Sequence, residues 1–242
     1  NLREDDGAIL RDKAFEPSGF LKEMSLQMPD ETHAQLAELA RLSTAFRKLA
    51  EFVPAEAWRK GVRAAANAKV PSLAAFWGGI EENGEIPLLD GKFRMPSRTD
   101  MAMITDEILL REEYFLAEYG PDDKPYIIDC GTNIGLSIAY MKAMYPNATV
   151  LGFEPVEELR AIAESNMESL GFERVTILPY AVAGEAGRRR LRTSLENTLA
   201  GSITDRMDRK TGRTTEDFVE AKTLSEFIKG PVDFIKLDIE GV

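Results

Sequence analysis

The stretch YIIDCGTNIGLSIAYM, residues 126–141, constrains the fold of this chain more than any other. A short apolar run ends on an acid, Asp129, passes two glycines, Gly131 and Gly135, and continues with a helical apolar pattern. That order predicts a buried strand, a tight turn and a helix. The alternation then repeats. Tyr126–Asp129 reads as a strand and Leu136–Tyr145 as a helix closed by Pro146. Thr149–Phe153 is a second strand, Glu157–Leu170 a helix ended by Gly171, and Val175–Leu178 a third strand. Beyond them VEAKTL reads as a strand, SEFIKG as a short helix and VDFIKLDI as another buried strand. Strands alternating with helices predict an α/β fold, with a mostly parallel sheet and helices on both faces. Right-handed crossovers set the loops that follow the strands along one edge, where ligands bind.

The first part of the chain has another character. Residues 1–30 show no period and read as an irregular arm. Asp30 can cap a helix in which Leu36, Leu39, Leu42, Phe46, Leu49 and Val53 recur at helical spacing, and Pro54 breaks it. AEAWRKGVRAAANAKV continues as helix to Pro71. GEIPLLDGKFRMPS predicts a hairpin turning at Asp90-Gly91, and Thr99–Tyr119 reads as helix. The expected division is a helical N-terminal extension with a small hairpin at 1–98, and a Rossmann-like domain at 99–242.

Composition excludes some classes. With 44% hydrophobic and 29% charged residues the chain is an ordinary globular one. No apolar stretch approaches the roughly 20 residues of a membrane span, and the first residues lack the apolar core of a signal peptide. One cysteine, Cys130, excludes an internal disulfide and a cysteine-rich zinc site, and a cytoplasmic setting is expected. The formal net charge of −11 argues against a nucleic-acid binder. One basic cluster stands out: Arg188, Arg189, Arg190, Arg192, Arg206, Arg209, Lys210 and Arg213, with acids interspersed. It reads as a solvated strand edge and loop, or as a pocket for an anionic acceptor. The single histidine, His33, falls in the first helix and reads as a surface residue.

The glycine turn decides what the domain could hold. In a parallel α/β sheet this is where a nucleotide-like ligand meets backbone. The dinucleotide fingerprint G-x-G-x-x-G is absent, because Gly131 and Gly135 are spaced G-x-x-x-G with Asn133 between them. Asp129, at the strand end, is poorly placed for a pyrophosphate and well placed for an ammonium group, directly or through water. Glu154, ending the second strand, can accept hydrogen bonds from ribose hydroxyls. A ligand with a ribose at one end and an α-amino group at the other fits both acids, and S-adenosylmethionine is such a ligand.

DCGTNIGLS, GFEP, PYAVAG and DFIKLDIEG, in this order and at these distances, resemble the FkbM-type family of class I S-adenosylmethionine-dependent methyltransferases. The resemblance covers roughly residues 100–242. It implies a cofactor loop of Asp129, Gly131, Thr132, Asn133 and Gly135, with Cys130 offering backbone contact and Ser137 near the methionine carboxylate. It implies Glu154 on the ribose, Pro155 and Val156 against the adenine, and Ala181 and Val182 flanking the adenine, with Glu185 only a substitute for the acid expected there. Asp238 and Glu240 would project near the methyl group. They are the candidate catalytic carboxylates, acting directly or by ligating a divalent cation such as Mg²⁺, and their alternative role is structural capping. The implied reaction is O-methylation of a sugar, polysaccharide or natural-product hydroxyl.

Cys130 reads as a small buried residue, since no histidine is at hand to activate it. The class I sheet has seven strands, and the strand bearing KLDIEG is the fourth. A fragment of a longer protein, lacking the C-terminal strands, is therefore expected. The N-terminal helices could pack on the core, cover an acceptor pocket or form a homo-oligomer contact. Two other functions are weighed: a non-catalytic S-adenosylmethionine-binding or scaffold module, and a nicotinamide-dependent dehydrogenase.

Overall fold

The computed structural model describes residue 42 and residues 45–70, 72–194, 201–202 and 214–239, with backbone alone at 192–194, 201–202 and 214–217. The chain divides into two compact units, Asn1–Asp90 and Gly91–Val242.

In the first unit residues 45–49 are helical, and a turn leads to Pro54, which precedes helix α1, Ala55–Asn67. Pro54 starts a helix as expected, but α1 ends before Pro71: Ala68 is already extended, with φ −71° and ψ 147°. A second helix, α2, spans Leu73–Ile80, with the Ser72 hydroxyl capping its start by accepting from the Ala75 N–H at 3.2 Å. Strand β1, Glu85–Leu88, closes the unit. Its core is aromatic. Phe46 and Phe76 stack with centroids 5.5 Å apart, Trp77 meets Phe76 edge-on, and the Trp58 indole N–H donates to the Phe46 carbonyl. The earlier part of the expected first helix, with His33, lies outside the described residues.

The second unit opens with strand β2, Gly91–Arg94, and helix α3, Arg98–Thr105, capped by the Ser97 hydroxyl accepting from the Asp100 N–H. A wider π-turn, Asp106–Leu110, follows directly. The helix expected to reach Tyr119 therefore stops at Leu110, because Glu112 takes a left-handed conformation at φ 54° that no helix continues.

Then the alternating part begins. Strand β3 spans Tyr126–Cys130, helix α4 Leu136–Met144, strand β4 Thr149–Phe153, helix α5 Glu157–Ser169 and strand β5 Val175–Leu178. Four parallel strands stand in the order β10-β3-β4-β5, where β10 is Phe234–Leu237. The chain steps outward from β3 to β5 and returns to place β10 on the other side of β3. This reversal is a topological switch point, where open α/β sheets bind ligands beyond the carboxyl ends of their strands.

Alternation along the strands assigns the two faces. Ile128 and Cys130 of β3 and Phe153 of β4 form one apolar cluster, covered by Leu224, Phe227 and Ile228. Phe227 meets Phe153 edge-on at 5.0 Å, and the turn carrying it starts with a 3-10 helix, Leu224–Glu226. On the opposite face Ile138 of α4 lies beside Gly152 of β4. A second sheet has the order β6-β9-β7-β8, with β6 Ala181–Val182, β7 Gly187–Ser194, β8 Gly201–Ser202 and β9 Thr214–Lys222. The VEAKTL stretch thus belongs largely to β9, outside the parallel sheet. The basic run at 188–190 lies on β7, where Arg188 stands opposite Glu220 and Arg190 opposite Phe218. No helix among the described residues is long and apolar enough to cross a membrane.

Candidate functional site

The switch point carries a cavity of about 240 Å³. Its floor is the turn after β3, which the backbone forms in a way that only certain residues allow. Gly131 has φ +84°, and a Cβ there would collide with the Asp238 carbonyl. Asn133 is also left-handed, at φ 51°, a conformation its short amide tolerates, and its Oδ1 accepts from the Ile134 N–H at 2.7 Å. Gly135, at φ +89°, stands at the start of α4, and a Cβ there would lie 3.0 Å from Met167 Cε and 3.3 Å from Ala163 Cβ. Two N–H groups of the turn, those of Gly131 and Thr132, donate to the Phe153 carbonyl and pin the turn against β4.

Of the expected residues, Gly131, Thr132, Asn133, Ser137, Glu154, Pro155, Val156, Ala181 and Asp238 line this one cavity. Asp129, Cys130, Gly135, Val182 and Glu185 do not. Gly135 supports the turn from behind, and Cys130 and Val182 belong to the apolar cluster of the opposite face. Burial pushes the Cys130 thiol up to about 12, with Asp129 adding to the rise, so no thiolate forms there at neutral pH. Glu185 lies on the exposed approach to β7, beside Arg189. Glu240 lies outside the described residues. None of Arg188, Arg189 and Arg190 lines the cavity, and the other half of the basic cluster, from Arg206 to Arg213, lies outside the described residues.

Glu154 is the acid most clearly built into the wall. Only 5% exposed, it accepts from the Asn133 N–H at 2.8 Å on one oxygen and from the Val156 N–H at 2.9 Å on the other. Burial pushes its carboxyl up to about 7, against the lowering effect of the two N–H groups. Each carboxylate oxygen carries two acceptor positions, so capacity remains for ligand hydroxyls.

Asp129 is fully buried and already has partners. The Ser137 hydroxyl donates to its Oδ2 at 2.6 Å, and Lys236 Nζ lies 3.0 Å from its Oδ1. The β3–β10 register sets Lys236 directly opposite Asp129, on the same face. Lys236 also donates to the Gly131 carbonyl at 2.9 Å, lies 3.6 Å from Asp238 Oδ2 and 5.5 Å from the centre of the Tyr114 ring. Burial works against the lysine charge, but Asp129, Asp238 and Tyr114 outweigh it and hold its pKa above the ordinary value.

Two charged lining residues, Lys236 and Glu107, escape the sequence reading. A signal exists for the first: a lysine inside the apolar run DFIKLDI must find an opposite charge if that strand is buried. For Glu107 there is none. It looks like any acid on a helix, and it reaches the cavity because the π-turn Asp106–Leu110 carries it there with Ile108, next to Met103 and Ile104 of α3. Burial, then Glu113 and Asp238, raise its pKa.

The metal expectation rests on Asp238 and Glu240, and Glu240 lies outside the described residues. Among the described residues no three acids, histidines or cysteines gather to hold a metal ion, and Asp238 faces an ammonium instead.

Residues 129–242 match a family model described as the methyltransferase FkbM domain. A protein named Methyltransferase 1, from Beauveria bassiana (strain ARSEF 2860), is 30% identical over 170 residues, covering 60% of this chain and 65% of that protein. Methyltransferase sdnD of Sordaria araneosa is 26% identical over 175 residues, covering 60% of this chain and 67% of its own length. The chain thus spans about two thirds of the curated relatives it matches. Among solved structures, an rRNA methylase from Streptococcus thermophilus shares 20% identity over 31% of this chain and 42% of that one, with a TM-score of 0.26, too low to establish a shared fold. The glycine turn, the carboxylate ending β4 and the end of β10 all fall inside the stretch, residues 129–242, that matches the FkbM methyltransferase domain.

Proposed function

We propose that the second unit binds S-adenosylmethionine in the switch-point cavity and transfers its methyl group to a hydroxyl on a sugar, polysaccharide or natural product. One observation carries the reading. A buried carboxylate, Glu154, is held by two backbone N–H groups at the wall of a cavity whose floor is a left-handed glycine turn. In this reading Glu154 receives the ribose hydroxyls, and Pro155, Val156 and Ala181 flank the adenine. Gly131, Thr132, Asn133 and Ser137 form the wall along the amino-acid part, with Gly135 shaping the turn. When bound, the cofactor supplies an electrophilic methyl group on a sulfonium.

Methyl transfer from a sulfonium is an in-line displacement governed by proximity and alignment, and the residues of the turn fix that alignment. A hydroxyl acceptor gives up its proton as the carbon–oxygen bond forms. Besides Glu154, Glu107 and Asp238 are the acids that line the cavity among the described residues, and in this reading a carboxylate at this end takes that proton. The acidic net charge of −11 favours a small-molecule or saccharide acceptor over a nucleic acid, and the lone thiol is in keeping with a cytoplasmic enzyme.

The test is a calorimetric titration of the chain with S-adenosylhomocysteine, repeated on Glu154→Ala. Micromolar binding lost in the variant is the expected result. Equal binding by wild type and variant refutes the role of Glu154.

A further inference from the structure

The acid that the sequence assigns to a ligand ammonium already holds one. Asp129 is fully buried, does not line the cavity, and spends its two oxygens on the Ser137 hydroxyl and the Lys236 ammonium. Lys236, itself 4% exposed, is closed in by the Gly131 carbonyl and the Tyr114 ring. Asp129 and Lys236 cancel within the protein, leaving no uncompensated charge at that point for a ligand cation.

Two residues further on, just past the end of β10, the situation is reversed. The Asp238 side chain is 59% exposed, lines the cavity, and touches Lys236 at a looser 3.6 Å. The trio Asp129, Lys236 and Asp238 carries one net negative charge, and Asp238 presents it to the cavity.

Resting on the cofactor reading above, we propose that Asp238, and not Asp129, receives the α-ammonium of the ligand's amino-acid end, while Lys236 serves as the internal cation that neutralises Asp129 and holds Asp238 at the cavity wall. The strand order supports the placement. Asp238 follows β10 and Glu154 follows β4, one on each side of β3. Neighbouring strands lie about 4.8 Å apart, so the two acids stand roughly 10 Å from each other across the floor of the site. An adenosine whose ribose lies on Glu154 extends its amino-acid chain from the 5′ carbon towards Asp238. Asp238 is thereby a binding residue that reads the amino-acid end, and Lys236 a positioning residue.

The experiment uses two probes that differ in that end. S-Adenosylhomocysteine carries the amino acid, and 5′-methylthioadenosine ends in a methyl group. Both are titrated by calorimetry into the full chain as wild type, Asp238→Asn and Glu107→Gln. The expected result is a loss of S-adenosylhomocysteine affinity of about tenfold or more in Asp238→Asn, the scale of one hydrogen bond to a charged group, with 5′-methylthioadenosine affinity unchanged within about twofold. Retained 5′-methylthioadenosine binding also shows that the variant is folded. Equal loss of both probes makes Asp238 a merely structural residue and overturns the proposal, as does loss of neither. A selective loss in Glu107→Gln but not in Asp238→Asn moves the ammonium to Glu107 and overturns it too. Failure of the wild type to bind either probe overturns the cofactor reading itself. Binding of both by the wild type, with no selective effect of Asp238→Asn, removes this assignment alone.

Discussion

Replacing Glu154 by Gln should shift the stability of the second unit progressively in the variant's favour as pH rises from 5 to 8. The wild-type carboxyl is pushed from 4.5 to about 7 by burial, which outweighs the lowering effect of the Val156 and Asn133 N–H groups. Because the folded state binds this proton more tightly than the unfolded chain, its contribution to stability is full below pH 4.5. It is lost as pH rises through about 7. A rise of that size corresponds to about 3 kcal/mol. Glutamine does not titrate, so the variant lacks this slope; its Nε2 cannot accept from one of the two backbone N–H groups, which adds a cost that does not change with pH. The difference between the two proteins should therefore grow by about 3 kcal/mol in favour of the variant between pH 5 and pH 8.

The readout must report the second unit. Both tryptophans, Trp58 and Trp77, lie in the first unit, so their fluorescence follows the wrong region. Hydrogen exchange at the amides of Ile127 and Ile128, buried in β3, reports the right one. A difference that stays constant from pH 5 to 8 would refute the claim that burial dominates the site at Glu154.

Two further substitutions probe how the site is held. Gly131→Ala places a Cβ against the Asp238 carbonyl in a left-handed backbone position, and should destabilise the unit by about 1–3 kcal/mol and abolish S-adenosylhomocysteine binding, as measured by exchange and calorimetry. Asn166→Ala removes an amide that donates to the Arg94 and Ile134 carbonyls at 3.1 and 2.8 Å and accepts from the Arg94 N–H at 2.7 Å; it should cost about 1–3 kcal/mol and loosen the glycine turn, seen as faster exchange at Ile134 and Gly135.

The parallel sheet was legible because both periodicities that define it are local. Tyr126–Asp129 and Val175–Leu178 are short apolar runs bounded by turn residues, and α4 and α5 end at Pro146 and Gly171, where backbone chemistry stops a helix. The errors came where tertiary pairing overrides local pattern. Thr99–Tyr119 has apolar residues at helical spacing, yet Glu112 turns left-handed without a glycine to announce it. LAAFWGGI, which forms α2, is apolar on every side and carries two glycines before its last residue, so it shows no amphipathic period. The arginines of β7 read as a strand edge and loop, and only the register with β9 shows which partners they meet, Arg188 opposite Glu220 and Arg190 opposite Phe218. Asp129 taught the sharper lesson. Its position at a strand end follows from the local pattern, whereas its pairing with Lys236 does not, because Lys236 lies on a strand that is distant in sequence and adjacent in space.

The central claim is that the cavity above Gly131 reads an adenosine with an amino-acid tail and not a dinucleotide. It is tested most directly by titrating the wild-type chain with S-adenosylhomocysteine and, separately, with NAD. The expected result is micromolar, one-to-one binding of S-adenosylhomocysteine and no saturable binding of NAD. Binding of NAD alone would contradict it.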